Sequence, residues 1–245
     1  MTPDRDYQQF YSDEAPRYDE HRYKGRYGRV FRELHHEAIQ SLLPSAQPGA
    51  RLLEIACGTG HATEVLARGG FNVVATDLTN SMLEHARERL RALPVEFMEA
   101  DARDLPFAAS EFDVVVATRF MHLFAYEGQL AILEEMGRVV RPGGRIVVDF
   151  DNRTSHRILA PPLFLYNISR YRRLRPDTHY NDPADIRRLF DEAGLELDSL
   201  VGVGGYHLLL PAVFSHGAAV AAGRSHRRPP LRFLAEQLAA VGTRR

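Results

Sequence analysis

The 245-residue chain is poor in several features, and each shortage removes a class of protein. It has one cysteine, Cys57, so no disulfide can form within it, and a reducing compartment is expected. Its 31 basic and 32 acidic residues leave a net charge of -1, without the positive field a nucleic-acid partner calls for. No apolar run is long enough to span a bilayer: His207, Pro211, Ser215 and His216 interrupt the nearest candidate, Tyr206 to Gly223. Residues 1–20 are polar and charged, unlike a secretory leader. Internal repeats and metal-ligand clusters of convincing spacing are also missing. The expectations are a cytoplasmic monomer or homo-oligomer with no metal, no membrane and no nucleic acid among its partners. The length suits one α/β domain with room for an added cap.

What is present centres on residues 51–63. An apolar run, Leu52 to Ala56, reads as a short buried strand, the turn Gly58-Thr59-Gly60 follows, and a helical pattern continues through Val65 and Leu66. This order aims backbone N–H groups at a ligand that can approach closely, because glycine has no Cβ. Glu54 is a carboxylate inside a strand that is otherwise apolar, so it needs a partner, either a ligand or the loop amides around it. The dinucleotide fingerprint G-x-G-x-x-G fails at its third glycine, where Thr63 stands, and no Gly-Lys pair makes a phosphate loop. The turn therefore suits a nucleoside without a pyrophosphate. Asp77 ends the next strand, Phe71 to Thr76, where a carboxylate can hold a ribose diol or cap the following helix.

The run Glu54-Ile55-Ala56-Cys57-Gly58-Thr59-Gly60 resembles the first motif of the class I S-adenosylmethionine-dependent methyltransferases, which more often carry glycine where Ala56 stands. Further along, Asp101-Ala102, Leu105-Pro106-Phe107 with Phe112-Asp113, and Val140-Arg141-Pro142-Gly143-Gly144-Arg145 resemble later motifs of that family, in order, over residues 51–150. The resemblance implies a doubly wound, mostly parallel seven-stranded Rossmann-like sheet with a reversed last strand. It also implies an N-terminal helical lid and a cap inserted after the fifth strand. Residues 1–44 would be the lid and its helix, 45–150 the donor-binding core, 151–181 the substrate cap, and 182–245 the rest of the sheet with a final helix. The cofactor implied is S-adenosylmethionine, held by Glu54, Ala56, Gly58, Gly60, Asp77, Leu78, Met82, Asp101, Ala102 and Arg119.

Around that core, Tyr7, Phe10, Tyr11, Tyr18 and Tyr23 line a charged N-terminal arm, and the Tyr18-Asp19 pair matches a lid element of the resembling family. The nearly continuous apolar run Val114 to Thr118 reads as a strand buried on both faces. Beyond its C-terminal end stand Arg119 and His122, and His122 and Tyr18 are the candidate general bases. Tyr166, Arg172 and Arg173 in the cap, with Tyr23, are the candidate contacts to an acidic or phosphorylated acceptor. Asp182 with Pro183 starts a helix that runs to Ala193. Strands at Leu195 to Val203 and Tyr206 to Val213 and a last helix at Leu231 to Val241 complete the expected order.

The function these features imply is methyl transfer to an O, N or C atom of a small molecule, in secondary metabolism. An RNA or protein methyltransferase, a non-catalytic nucleotide-binding partner protein and a nicotinamide-dependent reductase are the rival readings.

Overall fold

In the computed structural model, the apolar runs pair into one sheet. The structure describes residues 3–43, 45, 47, 49–158, 178–205, 208, 212, 214–225, 227 and 231–244. The strands are β1 (Arg51–Ile55), β2 (Asn72–Asp77), β3 (Val95–Glu99), β4 (Phe112–Ala117), β5 (Val140–Asp151), β6 (Leu195–Val203) and β7 (Gln237–Arg244). Their order is β3-β2-β1-β4-β5-β7-β6; β7 runs antiparallel to β5 and β6, and the other neighbours are parallel. The strand order reverses between β1 and β4, where open α/β sheets form a crevice at their C-terminal edge. Leu52, Leu53 and Ile55 of β1 and Val114 to Ala117 of β4 are buried, as central parallel strands covered on both faces require.

Helices cover both faces. They are α1 (Pro3–Glu14), α2 (Tyr18–Tyr23), α3 (Arg26–Leu42), α4 (His61–Arg68), α5 (Asn80–Arg89), α6 (Tyr126–Val139), α7 (Pro183–Glu192) and α8 (His216–Ser225). Ala38, Ile39 and Leu42 of α3 pack with Val65 and Leu66 of α4 and Leu83 of α5 on one side of the sheet. Ile132, Leu133 and Met136 of α6 join Ile186, Leu189 and Phe190 of α7 on the other. Asp182 caps α7 as its residue type predicts: its side chain accepts from the N–H groups of Ala184 and Asp185, and Asp185 returns a bond to the Asp182 N–H. No helix among the described residues is long and apolar enough to cross a membrane.

The C-terminal part differs from the sequence reading. The antiparallel partner of β6 is Gln237–Arg244, not a strand over residues 206–213, and the expected helix at Leu231 to Val241 does not form. Of residues 206–213 only Leu208 and Ala212 are described, and both pack with Val30 and Leu34 of α3. The run Leu238-Ala239-Ala240-Val241 has helical propensity, but β5 and β6 flank it and every residue in it is buried. Tertiary pairing overrides propensity here. Gly242 is needed beside it, since a Cβ there would lie 2.3 Å from Phe190 Cε1. β5 begins at Val140, which pairs with Phe112, and the chain bulges through Pro142–Gly144 before Arg145 pairs with Val114.

Asp182→Ala removes the α7 cap and should lower stability by about 1–2 kcal/mol. The urea midpoint checks this, and an unchanged midpoint would contradict it.

Candidate functional site

The glycine turn after β1 is built on left-handed backbone. Gly58 has φ 54° and Gly60 has φ 83°. Ala56 also sits at φ 56°, which costs an alanine roughly 1–2 kcal/mol relative to glycine and accounts for the residue more usual in the resembling family. A Cβ on Gly58 would meet nothing within 4 Å, so its backbone faces open space, whereas one on Gly60 would press on Leu90, just past α5, and on Ala86 of α5 at 3.0 and 3.2 Å. Asp77, at the end of β2, holds this turn: its Oδ2 accepts the Gly58 N–H and its Oδ1 the Thr79 N–H, each at 2.9 Å. Burial raises the Asp77 carboxyl above the usual range, against the pull of those backbone donors.

Beyond the strand ends lies an apolar cleft, the kind of concave, mostly apolar surface that holds small molecules. Ala56, Gly58, Asp77, Leu78, Met82, Asp101, Ala102 and Arg119 all line it, together with Gln8, Tyr11 and Tyr18 of the N-terminal segment. Arg103 grips the Asp101 carboxylate through both oxygens, at 3.0 and 2.7 Å, and holds it below the usual range. Phe120, Leu123 and Phe124 form a further apolar wall.

A second, polar chamber adjoins the cleft and shares Tyr18, Ala56, Gly58 and Arg119 with it. Glu54, 1 % exposed, lines this chamber, and its Oε2 has no hydrogen-bond partner among the described residues. Burial pushes its carboxyl up to about 7. Burial likewise brings His36 down to about 4, with His35 and His61 adding to the effect, so that ring is neutral at physiological pH. Tyr23, half-buried, is pushed up to about 12 by desolvation and stays a neutral phenol, its oxygen accepting from Arg119 Nη1 at 2.7 Å. Cys57, buried in the turn and carrying a thiol that burial raises well above its ordinary range, packs rather than presents a thiolate.

The N-terminal helices are tied across this site. Gln8 Nε2 donates to the Leu78 carbonyl at 3.0 Å, and the Ser12 and Ser81 hydroxyls meet at 3.2 Å. Asp19 accepts from Thr59 Oγ1 at 2.6 Å and from Arg89, and His61 Nε2 stands 3.0 Å away.

The structure thus brings together eight of the ten expected donor contacts in the apolar cleft, sets Glu54 in the adjoining chamber and places Gly60 against α5. Tyr18 borders both cavities and Tyr23 only the polar one. His122 is buried and lines neither. Tyr166, Arg172 and Arg173 lie outside the described residues, as does most of the expected cap. At its edge, Arg153 is taken up by Asp182 and Asp185, at 3.0 and 2.7 Å. In the basic tail, Arg224 and Arg227 pair with Glu37. Sequence reasoning missed Arg32, His35, His36 and His61, which come from α3 and α4 and share no local pattern. Asp19 had a signal, the Tyr-Asp pair. No group of His, Cys, Asp and Glu that could hold a metal ion occurs among the described residues.

Strand order, glycine turn and cleft define a doubly wound α/β protein with a nucleoside-type site at its switch point. Residues 52–144 match a family model described as a methyltransferase domain. It is similar to a demethylmenaquinone methyltransferase of Clavibacter sepedonicus, 45% identical over 101 residues that cover 41% of this chain and 40% of the relative. A demethylmenaquinone methyltransferase of Mycobacterium sp. (strain KMS) is 36% identical over 154 residues, 60% of this chain and 64% of the relative. The chain thus spans less than two thirds of the length of these relatives. Among solved structures, its fold is similar to that of magnesium protoporphyrin IX methyltransferase from Synechocystis PCC 6803 with bound SAH. The TM-score is 0.66 at 15% identity, over 97% of this chain and 100% of that one. A SAM-dependent methyltransferase from Methanosarcina mazei gives a TM-score of 0.61 at 18% identity, over 84% and 96%.

The buried Glu54 makes stability depend on pH. Above its ordinary 4.5 the unfolded chain gives up the Glu54 proton, while the folded chain keeps it until about 7. The Glu54 contribution to stability should therefore fall as pH rises through that window and level off above it, by an amount on the order of a few kcal/mol. The depressed His36 acts in the opposite sense, so the Glu54 contribution is read as a difference: across that window the urea midpoint of the wild type should fall relative to that of Glu54→Gln. Equal slopes in both proteins would contradict the assignment.

Proposed function

We propose that the chain transfers a methyl group from S-adenosylmethionine to a small-molecule acceptor. The observation that carries the reading is the Asp77 carboxylate, fixed by the Gly58 and Thr79 amides at the mouth of the apolar cleft. Each of its oxygens retains acceptor capacity for a ribose hydroxyl, and the glycine turn admits a nucleoside without a pyrophosphate. Leu78, Met82 and Ala102 form apolar walls suited to an adenine, with Asp101 at its edge. The polar chamber fits the amino-acid end of the donor. Glu54 Oε2 awaits a donor group such as an ammonium, and the Arg32 guanidinium borders the same space. When bound, the donor supplies an activated methyl on a cationic sulfur. The residues of the chain bind and orient it and exclude water, which is how a site without a covalent nucleophile gains most of its rate.

Gln8, Tyr11, Tyr18 and Asp19 give the N-terminal helices the role of a lid over that cleft. The demethylmenaquinone and magnesium protoporphyrin enzymes that the chain resembles support a small-molecule acceptor.

Calorimetric titration with S-adenosylmethionine and S-adenosylhomocysteine tests the reading. Asp77→Ala should weaken both by about 10- to 100-fold, the worth of charge-assisted hydrogen bonds. Asp77→Asn, which keeps one acceptor for the turn, separates lost binding from lost folding. A wild type that binds nicotinamide cofactors and neither adenosyl ligand would overturn the proposal.

A further inference from the structure

Tyr18, Asp19 and Tyr23 belong to α2, a helix of 6 residues with none of them buried and no side-chain cap. So short a helix does not hold itself in water, and its place is set by what it touches. Tyr23 contributes its bond to Arg119, and Asp19 contributes a carboxylate filled from two sides. Its Oδ1 accepts from the Thr59 hydroxyl in the glycine turn at 2.6 Å and lies 3.0 Å from Nε2 of His61, the first residue of α4. Its Oδ2 takes the guanidinium of Arg89, the last residue of α5. Burial works to raise the Asp19 carboxyl, but His61, Thr59 and Arg89 hold it below its usual range, so it stays ionised.

Arg89 serves two partners at once. Its Nε donates to the Thr59 carbonyl at 2.8 Å, and its Nη2 donates to Asp19. One turn residue thus gives its hydroxyl to Asp19 and its carbonyl to Arg89, which closes a triangle of turn, α5 and α2. Neither Asp19 nor Arg89 lines the apolar cleft or the polar chamber, and their side chains are 37 % and 29 % exposed. Tyr18, next in the chain to Asp19, lines both cavities, and Tyr23 lines the polar one. Fixing Asp19 therefore fixes two aromatic walls of the site.

We propose that Asp19 and Arg89 are positioning residues of the donor site: they latch α2 onto the glycine turn, and the latch sets how slowly a bound donor leaves. The inference rests on the donor assignment given above. For the amino-acid end of the donor to leave the polar chamber, Tyr18 and Tyr23 must move aside, and they move with α2 once Asp19 releases Thr59 and Arg89. Arg89 acts on the donor through Asp19, so its effect depends on the Asp19 carboxylate being there. Residues that share a partner in this way are coupled, and their effects do not add.

S-adenosylhomocysteine is the probe. Its association and dissociation rates are measured by surface plasmon resonance on the complete chain as wild type, Asp19→Ala, Arg89→Met and the double variant. Each single variant should speed dissociation about tenfold, the lower end of what a charge-assisted hydrogen bond is worth at a partly exposed site. Association should not slow. In the Asp19→Ala background, Arg89→Met should add less than about twofold. Thr59→Val, which leaves the turn carbonyl for Arg89, makes the same comparison if Arg89→Met does not fold. A dissociation rate unchanged in Asp19→Ala overturns the proposal. So does an Arg89→Met effect as large in the Asp19→Ala background as in the wild type, since Arg89 would then support the turn alone. If S-adenosylhomocysteine does not bind the wild type, the donor assignment fails and the latch falls with it.

Discussion

One carboxylate joins the two halves of the site. Asp77 ends β2, and its two oxygens take the amides of Gly58, in the turn after β1, and Thr79, ahead of α5. The turn has to pass through left-handed backbone at Ala56, Gly58 and Gly60, a path that β1 alone does not enforce. Tying it to the neighbouring strand fixes where the Gly58 backbone opens and where α4 begins. The same bonds hold a charge at the mouth of an apolar cleft, against the burial that raises its carboxyl. In the proposed reading, structure and binding draw on the same atoms, so that Asp77 would serve both the turn and a ligand.

The site divides by polarity along this tie. On one side Leu78, Met82 and Ala102 make a slot for a flat apolar body. On the other, desolvation raises the Glu54 carboxyl and the Tyr23 phenol and lowers the His36 ring, which favours the neutral form of each, and the Arg32 and Arg119 side chains border the same space. A ligand that is apolar at one end and zwitterionic at the other complements both. The N-terminal helices reach the site through polar contacts, Gln8 to Leu78 and Asp19 to Thr59 and Arg89.

What was legible in the sequence was what is local. The turn from Gly58 to Gly60 needs residue types that only left-handed backbone explains, and Asp77 follows at the distance one strand and one helix impose. Asp182 and Pro183 announced α7 for the same reason. β7 was not legible, because a Leu-Ala-Ala-Val run carries helical propensity and its strand state is decided by β5 and β6, one of them about 90 residues away in the chain. Nor was the polar chamber. His35 and His36 on α3 and His61 on α4 read singly as ordinary surface or core histidines, and only the fold puts them around Glu54 and Arg119. Arg119 was legible as a residue at a strand end, but its bond to the Tyr23 hydroxyl is a fact of three dimensions.

The most direct test of this account is a crystal structure of the chain with S-adenosylhomocysteine. The account predicts the adenine between Leu78, Met82 and Ala102, both ribose hydroxyls on Asp77, and the amino-acid end in the chamber with Glu54. A ligand bound outside the two cavities, or one in the cleft with its ribose turned away from Asp77, would contradict it.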